Sequence, residues 1–131
     1  MTPEALAALD RVRAIALALP RADERLSHGS PGFFITKGKF FAYFWHNHHG
    51  DGMTCVHVKT SGREEQAMLV EMDPDFYFIP PYLGSSGWIG LRLDQPDTDW
   101  ADTDWDRVAD RVRMSWEMVA PRGLLEQVDE R

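Results

Sequence analysis

Residues 27–42 have the sequence SHGSPGFFITKGKFFA, in which a turn-forming run leads into two strand-like segments. Glycine, proline and serine at 27–32 are typical of turns. Aromatic and β-branched residues, which favour strands, flank the Lys37-Gly38 pair on both sides. This stretch therefore predicts a β-hairpin that sets the register of the rest of the sheet.

The segments after this hairpin extend the sheet. A polar turn from His48 to Gly52 precedes a third strand-like run, Met53–Lys59. Two later runs, Asp75–Ile79 and Gly87–Leu93, have strand character and lie on either side of a proline- and glycine-rich segment. The pattern predicts three strands followed by two more.

Helical spacing of apolar residues marks the remaining elements. The first helix starts at Thr2-Pro3-Glu4 and ends near Pro20. A capping box at Ser61–Glu64 opens a second helix that runs to about Met72, and Thr103 or Asp104 caps a third that ends before Pro121. The fold class is therefore α+β, a two-layer α-β(3)-α-β(2)-α arrangement with an antiparallel sheet.

A two-residue loop at Lys37-Gly38 would pair Thr36 with Lys39, Ile35 with Phe40 and Phe33 with Ala42. Alternation then divides the side chains between two faces. The face toward the helices is predicted to hold Phe33, Ile35, Phe40, Ala42, Phe44, Val56, Val58, Ile89, Leu91 and Leu93, with Val108, Val112 and Val119 of the last helix packed against it. The opposite face is predicted to hold Phe34, Lys39, Phe41, Tyr43, Trp45, Cys55, His57, Lys59, Trp88 and Arg92.

Composition limits the class of protein. The chain has 131 residues with 44% hydrophobic content, which suits one domain, residues 1–131. Lys and Arg number 14 against 21 Asp and Glu, and the resulting net charge of -7 repels polyanions at long range. The single cysteine cannot form an intramolecular disulfide, and neither a leader nor a long apolar stretch is evident. A cytoplasmic protein with no membrane association is expected.

Three further motifs accompany the opening stretch, namely Pro80-Pro81-Tyr82, Gly87–Leu93 and Val119-Ala120-Pro121-Arg122. Together, over roughly residues 4 to 124, they resemble the MmcQ/YjbR family of small bacterial proteins. The resemblance implies a two-layer fold similar to secretion-chaperone-like and frataxin-like folds. It also implies the DNA-binding role with which such proteins are commonly labelled, a label that rests on fold similarity.

Two functions remain open, and neither is enzymatic, because no combination of acid, base and nucleophile is evident. The first is weak, salt-sensitive DNA binding through the outer sheet face, with phosphate contacts and base stacking by Lys39, Tyr43, Trp45, Lys59, Trp88 and Arg92. The alternative is a pocket for a small molecule or peptide between the Ser27–Pro31 turn and the Pro80–Trp88 segment, framed by Ser27, His28, Tyr82, Trp88 and Arg92. A third interpretation is that loops, termini or a second subunit cover the exposed aromatic residues. The sequence does not indicate the oligomeric state.

One part of the sequence holds a cluster of possible metal ligands, since imidazole, thiolate and carboxylate groups bind zinc. The cluster is formed by His46, His48, His49, Asp51, Cys55 and His57. It lacks the spacing of a zinc site, and His46 and His57 should face opposite sides of the sheet. Neither a structural metal nor any other cofactor is therefore expected. Cys55 and His57 share a face, but a spacing of about 7 Å along the strand predicts that they are too far apart for proton transfer.

Overall fold

The computed structural model describes residues 1–94 and 102–129 of the chain. Four α-helices are described: α1 (Pro3–Leu17), α2 (Arg63–Met72), α3 (Trp105–Val119) and α4 (Arg122–Asp129). Six strands are described: β1 (Ala22–Ser27), β2 (Ser30–Ile35), β3 (Phe40–His46), β4 (Thr54–Val58), β5 (Tyr77–Phe78) and β6 (Ile89–Arg92).

The six strands form one antiparallel sheet in the order β1-β2-β3-β4-β6-β5. Helices α1 and α3 contact each other and β3, and so lie together on one side of the sheet. We call the opposite side the outer face. The α+β fold class and the antiparallel sheet are as predicted, but β1 and α4 were not expected, and the predicted strand Asp75–Ile79 is limited to Tyr77–Phe78.

Strand β1 escaped prediction because its sequence, ADERLS, is mostly polar and lies at the edge of the sheet. It pairs along its whole length with β2, from Ala22 opposite Ile35 to Ser27 opposite Ser30. His28 and Gly29, which join the two strands, both have positive φ, 52° and 82°. Positive φ at both central residues is typical of the tightest hairpin turns. The Ser27–Pro31 segment thus consists of the last residue of β1, the His28-Gly29 turn and the first two residues of β2.

The predicted register of the β2–β3 hairpin is wrong near its loop and right farther away. Ile35 donates its N–H to the Lys39 carbonyl at 3.1 Å, so the loop has three residues, 36–38. Phe34 then lies opposite Phe40, and an irregularity before the next pair restores Phe33 opposite Ala42, as predicted. One residue more on β3 than on β2 defines a β-bulge at Phe41.

The bulge exchanges two aromatic side chains between the faces. Phe41, expected on the outer face, is fully buried in the core. Phe40, expected in the core, is half-buried and stacks on Tyr43 of the outer face at 5.1 Å between ring centroids. Beyond the bulge the alternation is as predicted, because Ala42 and Phe44 are buried in the core while Tyr43 and Trp45 are half-buried.

Ser115 of α3 stabilises the backbone at the bulge. Its hydroxyl donates to the Phe41 carbonyl at 2.6 Å and accepts the Lys59 N–H at 2.9 Å. Extension of the β3–β4 register places Phe41 opposite Lys59. The Ser115 side chain therefore bridges a backbone group of β3 and one just after β4, at the point where the bulge interrupts the hydrogen bonds between the strands.

The predicted core is otherwise largely observed. Phe33, Ile35, Phe44, Val56, Val58, Ile89, Leu91, Leu93, Val108 and Val112 are all buried, whereas Val119, expected to be buried, is half-buried at the end of α3. Thr2 accepts the Ala5 N–H at 3.1 Å and Asp104 the Arg107 N–H at 3.0 Å, as expected of N-caps. The capping box is shifted by one residue, because Glu65 rather than Glu64 accepts the Ser61 N–H.

Candidate functional site

Aromatic rings cover much of the outer face and form two groups. The first runs Phe34, Phe40, Tyr43 and Trp88, with neighbouring centroids 5.1–5.7 Å apart. In the second, the ring centroid of Trp45 lies 3.7 Å from that of His48, 4.4 Å from that of His57 and 6.3 Å from that of Tyr82. Each of these rings therefore packs against at least one other ring of its group.

The segment between β5 and β6 covers part of this face. A Cβ on Gly90 would lie 2.3 Å from the Phe78 ring, so the absence of a side chain at Gly90 lets Phe78 lie directly on β6. Buried Gln66 of α2 donates to the carbonyls of Gly84 at 2.8 Å and Trp88 at 2.7 Å. The covering segment is therefore held by α2 at one end and by aromatic packing at the other.

A cavity of about 570 Å³ lies between this segment and the β1–β2 turn. It is lined by Ser27, His28, Tyr43, Trp45, His48, Tyr82 and Leu83. The volume is within the range of small-molecule sites, which are mostly apolar with a few polar groups. Tyr82, on the segment that covers the outer face, is 72% exposed. Burial raises the pKa of the Tyr43 hydroxyl, and the positive charge of Arg25 opposes this rise.

Three of the five predicted pocket residues, Ser27, His28 and Tyr82, meet in this cavity. Trp88 and Arg92 do not line it. Trp88 is only 9% exposed; its ring contacts that of Tyr43, and its backbone carbonyl accepts a hydrogen bond from Gln66. Arg92 lies opposite Cys55 on the neighbouring strand and forms an ion pair with Asp94 at 3.5 Å. Burial of the Trp88 ring also contradicts its expected exposure for base stacking.

The predicted nucleic-acid residues are spread over the sheet. Exposed Lys39 precedes β3, and half-exposed Lys59 lies across from Phe41, so both are near the start of β3. Trp45 is five residues beyond Phe40, about 17 Å along the strand at its usual rise. The cation nearest to Trp45 in strand register is Arg92, opposite Cys55, and it is paired with Asp94. The cations therefore do not form one patch beside the stacking rings.

Sequence reasoning assigned Tyr43 and Trp45 to a nucleic-acid surface rather than to the pocket, and it missed His48 and Leu83 as pocket residues. The antiparallel β1–β2 hairpin explains this, because it brings Ser27 and His28 beside the Trp45 end of β3. Without β1 the sequence offered no signal for this proximity. His48 carried a weak signal, since it comes three residues after Trp45 in a turn.

Cys55 and His57 are closer than predicted, with 3.5 Å between Sγ and Nε2. Strand rise gave too large a spacing because the two side chains converge. Burial, aided by Asp51 and Asp94, raises the pKa of the Cys55 thiol, which favours the protonated form. Burial, aided by His48, lowers the pKa of His57 to about 4, so its ring is neutral at pH 7. The geometry permits contact, but the electrostatics do not activate the thiol.

His46 lies on the helix side, where its Nδ1 is 2.8 Å from Thr54 Oγ1, and it lines a small cavity with Thr2 of the α1 N-terminus. His46 and His57 thus face opposite sides, as predicted. The His49 side chain lies outside the part of the chain that the structure describes. Within residues 1–94 and 102–129, no three His, Cys, Asp or Glu side chains are grouped closely enough to hold a metal ion. No helix in these ranges is long and apolar enough to cross a membrane.

Fold and cavity together define a small α+β protein with an aromatic site on the outer face of an antiparallel sheet. The YjbR family model matches residues 17–118, and the chain belongs to this family. The crystal structure of Deinococcus radiodurans protein DR2400, a DUF419 domain, is similar to it with a TM-score of 0.65 and 17% sequence identity. The similarity covers 88% of this chain and 80% of that one, and it shows the shared fold. No curated protein matches the sequence.

Proposed function

We propose that this protein is a non-enzymatic binding protein that holds a small planar molecule in the aromatic cavity of the outer face. The observation that carries the proposal is the cavity itself, in which Tyr43, Trp45 and Tyr82 from two separate segments surround about 570 Å³. Rings give a large contact area to a planar ligand at little conformational cost. The Ser27 hydroxyl and the two imidazole rings supply the few polar groups that would orient it.

The contact between Cys55 and His57 gives the cavity no reactive thiol, which favours binding over cysteine-based catalysis. Cys55, the only cysteine of the chain, lies outside the lining and is held as a thiol by its burial. The neighbouring base, His57, is fully buried and also lies outside the lining. A nucleophile has to be accessible and activated to react with a bound molecule.

The cytoplasmic location expected from the sequence is retained as part of this proposal.

Ligand-observed NMR and calorimetric titration with indole, a neutral planar probe, test the proposed site. Tyr82→Ala should raise the Kd of indole roughly 2- to 12-fold, the range for loss of one aromatic contact. Tyr82 is exposed, so the variant should fold normally. Met68→Ala is the matched control, because Met68 is an exposed apolar residue of α2 outside the cavity. Equal affinity of all three proteins, or no binding of indole, would reject the cavity as the site.

Weak nucleic-acid binding is the second candidate. It is favoured by Arg25, whose guanidinium lies 4.9 Å and 5.0 Å from the ring centroids of Phe34 and Phe40, beside the exposed Lys39 turn. The net charge of -7 weighs against it, as does the placement of Lys39 and Arg92 near opposite ends of β3 in the strand register. Fluorescence anisotropy with single- and double-stranded DNA at low salt is the test. Lys39→Ala should reduce the salt slope by about 0.7–0.9, and absence of saturable binding by the wild type removes this candidate.

A further inference from the structure

We propose that the ligand of the cavity is an aromatic acid, a planar ring that carries a carboxylate, and that the carboxylate is bound beside His28. This inference rests on the proposed function and narrows it to one chemical class. The charges and hydrogen-bonding groups around the lining support it.

The lining differs in charge from the rest of the protein. The chain has 21 Asp and Glu residues, yet none of the seven described residues that line the cavity is acidic, and two are histidines. Asp51, which follows His48 in the β3–β4 connection, lies outside the lining and accepts the Met53 N–H at 2.9 Å. Arg25 is close enough for its charge to affect the Tyr43 hydroxyl. The local environment therefore favours an anion within an acidic protein.

Two of the polar lining residues are neighbours at the edge of the cavity. Ser27 and His28 are adjacent, and the hairpin turn fixes His28 in the left-handed conformation, φ 52°. Hydroxyl and imidazole groups donate hydrogen bonds, and a protonated imidazole adds positive charge, so both can bind a carboxylate. Tyr43 and Trp45 lie farther in, on the central strand β3. A ligand with a ring at one end and an acid at the other matches this division.

Three probes with one ring system separate the effect of charge from that of the ring: indole-3-acetate is an anion, indole is neutral, and tryptamine is a cation. Each is titrated calorimetrically against the full-length protein. We expect indole-3-acetate to bind about 10-fold tighter than indole, the ratio that corresponds to one charge-assisted hydrogen bond. Tryptamine should bind more weakly than indole.

His28→Asn tests the position of the acid group. Asparagine tolerates positive φ and so preserves the turn, while the imidazole is lost. The variant should weaken the binding of indole-3-acetate about 10-fold more than it weakens the binding of indole. Lys37→Asn is the matched control, since Lys37 is also exposed and has positive φ, 64°, but lies in the loop at the other end of β2. It should leave the Kd values of both probes unchanged.

The outcomes distinguish the two proposals. If indole and indole-3-acetate bind equally tightly, or if tryptamine binds best, the acid inference is wrong while the cavity remains a binding site. If His28→Asn weakens both probes equally, or neither, the carboxylate is not bound at His28 and the inference is again wrong. If no probe binds, the proposed function is rejected together with the inference.

Discussion

Replacement of Ser115 by alanine tests whether α3 stabilises the β-bulge. The hydroxyl bridges the Phe41 carbonyl and the Lys59 N–H at 2.6 Å and 2.9 Å, and Ser115 is fully buried. Ser115→Ala leaves both backbone groups without this partner, at a cost of about 1–3 kcal/mol each. We therefore expect a loss of about 3 kcal/mol, a large share of the roughly 5–15 kcal/mol by which domains of this size are stable.

Urea unfolding followed by tryptophan fluorescence measures this loss. With a typical slope of about 2 kcal/mol/M, the midpoint should fall by about 1.5 M. Ser85→Ala is the control, because the Ser85 hydroxyl donates to the Tyr82 carbonyl at 3.2 Å but is exposed to solvent. It should cost less than about 0.5 kcal/mol. If Ser115→Ala is no more destabilising than this control, Ser115 does not support the bulge.

Three further predictions concern the outer face and the segment that covers it. Because burial lowers the pKa of His57 from 6.5 to about 4, the unfolded state binds the extra proton between these pH values. Stability should therefore fall as the pH drops from 6.5 to 4, by up to about 3 kcal/mol, in urea titrations. His57→Phe should lack this component, and an unchanged pH profile would contradict the assignment. Gly90→Ala should lower the free energy of unfolding in urea by about 1–3 kcal/mol, because the added methyl group meets the Phe78 ring. Gly123→Ala is the control and should not destabilise the protein, since a Cβ there has nothing within 4 Å. Equal urea midpoints of the two variants would show that Phe78 moves aside freely. Gln66→Glu should lower the thermal midpoint at pH 7, since an ionised carboxylate cannot donate to the two carbonyls that Gln66 binds. The midpoint of the variant should rise again in part toward pH 5, where more of the carboxyl group is protonated. A variant midpoint equal to that of the wild type at pH 7 would contradict the role of these bonds.

The helix-facing residues were predictable because burial imposes a simple period on each element. Val56 and Val58 alternate with outer-face residues on β4, and Val108 and Val112 are one helical turn apart on α3. Periodicity of this kind is a local property of the chain, so the sequence contains it.

The register near Phe40 and the composition of the cavity were not predictable in the same way. A loop of two or three residues suits the Lys37-Gly38 sequence equally well, and the Ser115 hydroxyl that binds the Phe41 carbonyl comes 74 residues later in the chain. The cavity needs β1, whose polar sequence gives no strand signal because an edge strand can be solvated. Trp88 was expected on the surface because the alternation along its own strand does not reveal its ring contact with Tyr43 of another strand.

The position of the cavity between the centre and the edge of the sheet gives its two sides different mechanical properties. Tyr43 and Trp45 belong to β3, which is paired on both sides and packed against α1 and α3. Ser27 and His28 belong to the hairpin of the edge strand, which has a neighbouring strand on one side only. Displacement of the hairpin tip could therefore widen the entrance while the aromatic wall keeps its shape. The two walls of the cavity therefore differ in how far they can move while the hydrophobic core stays intact.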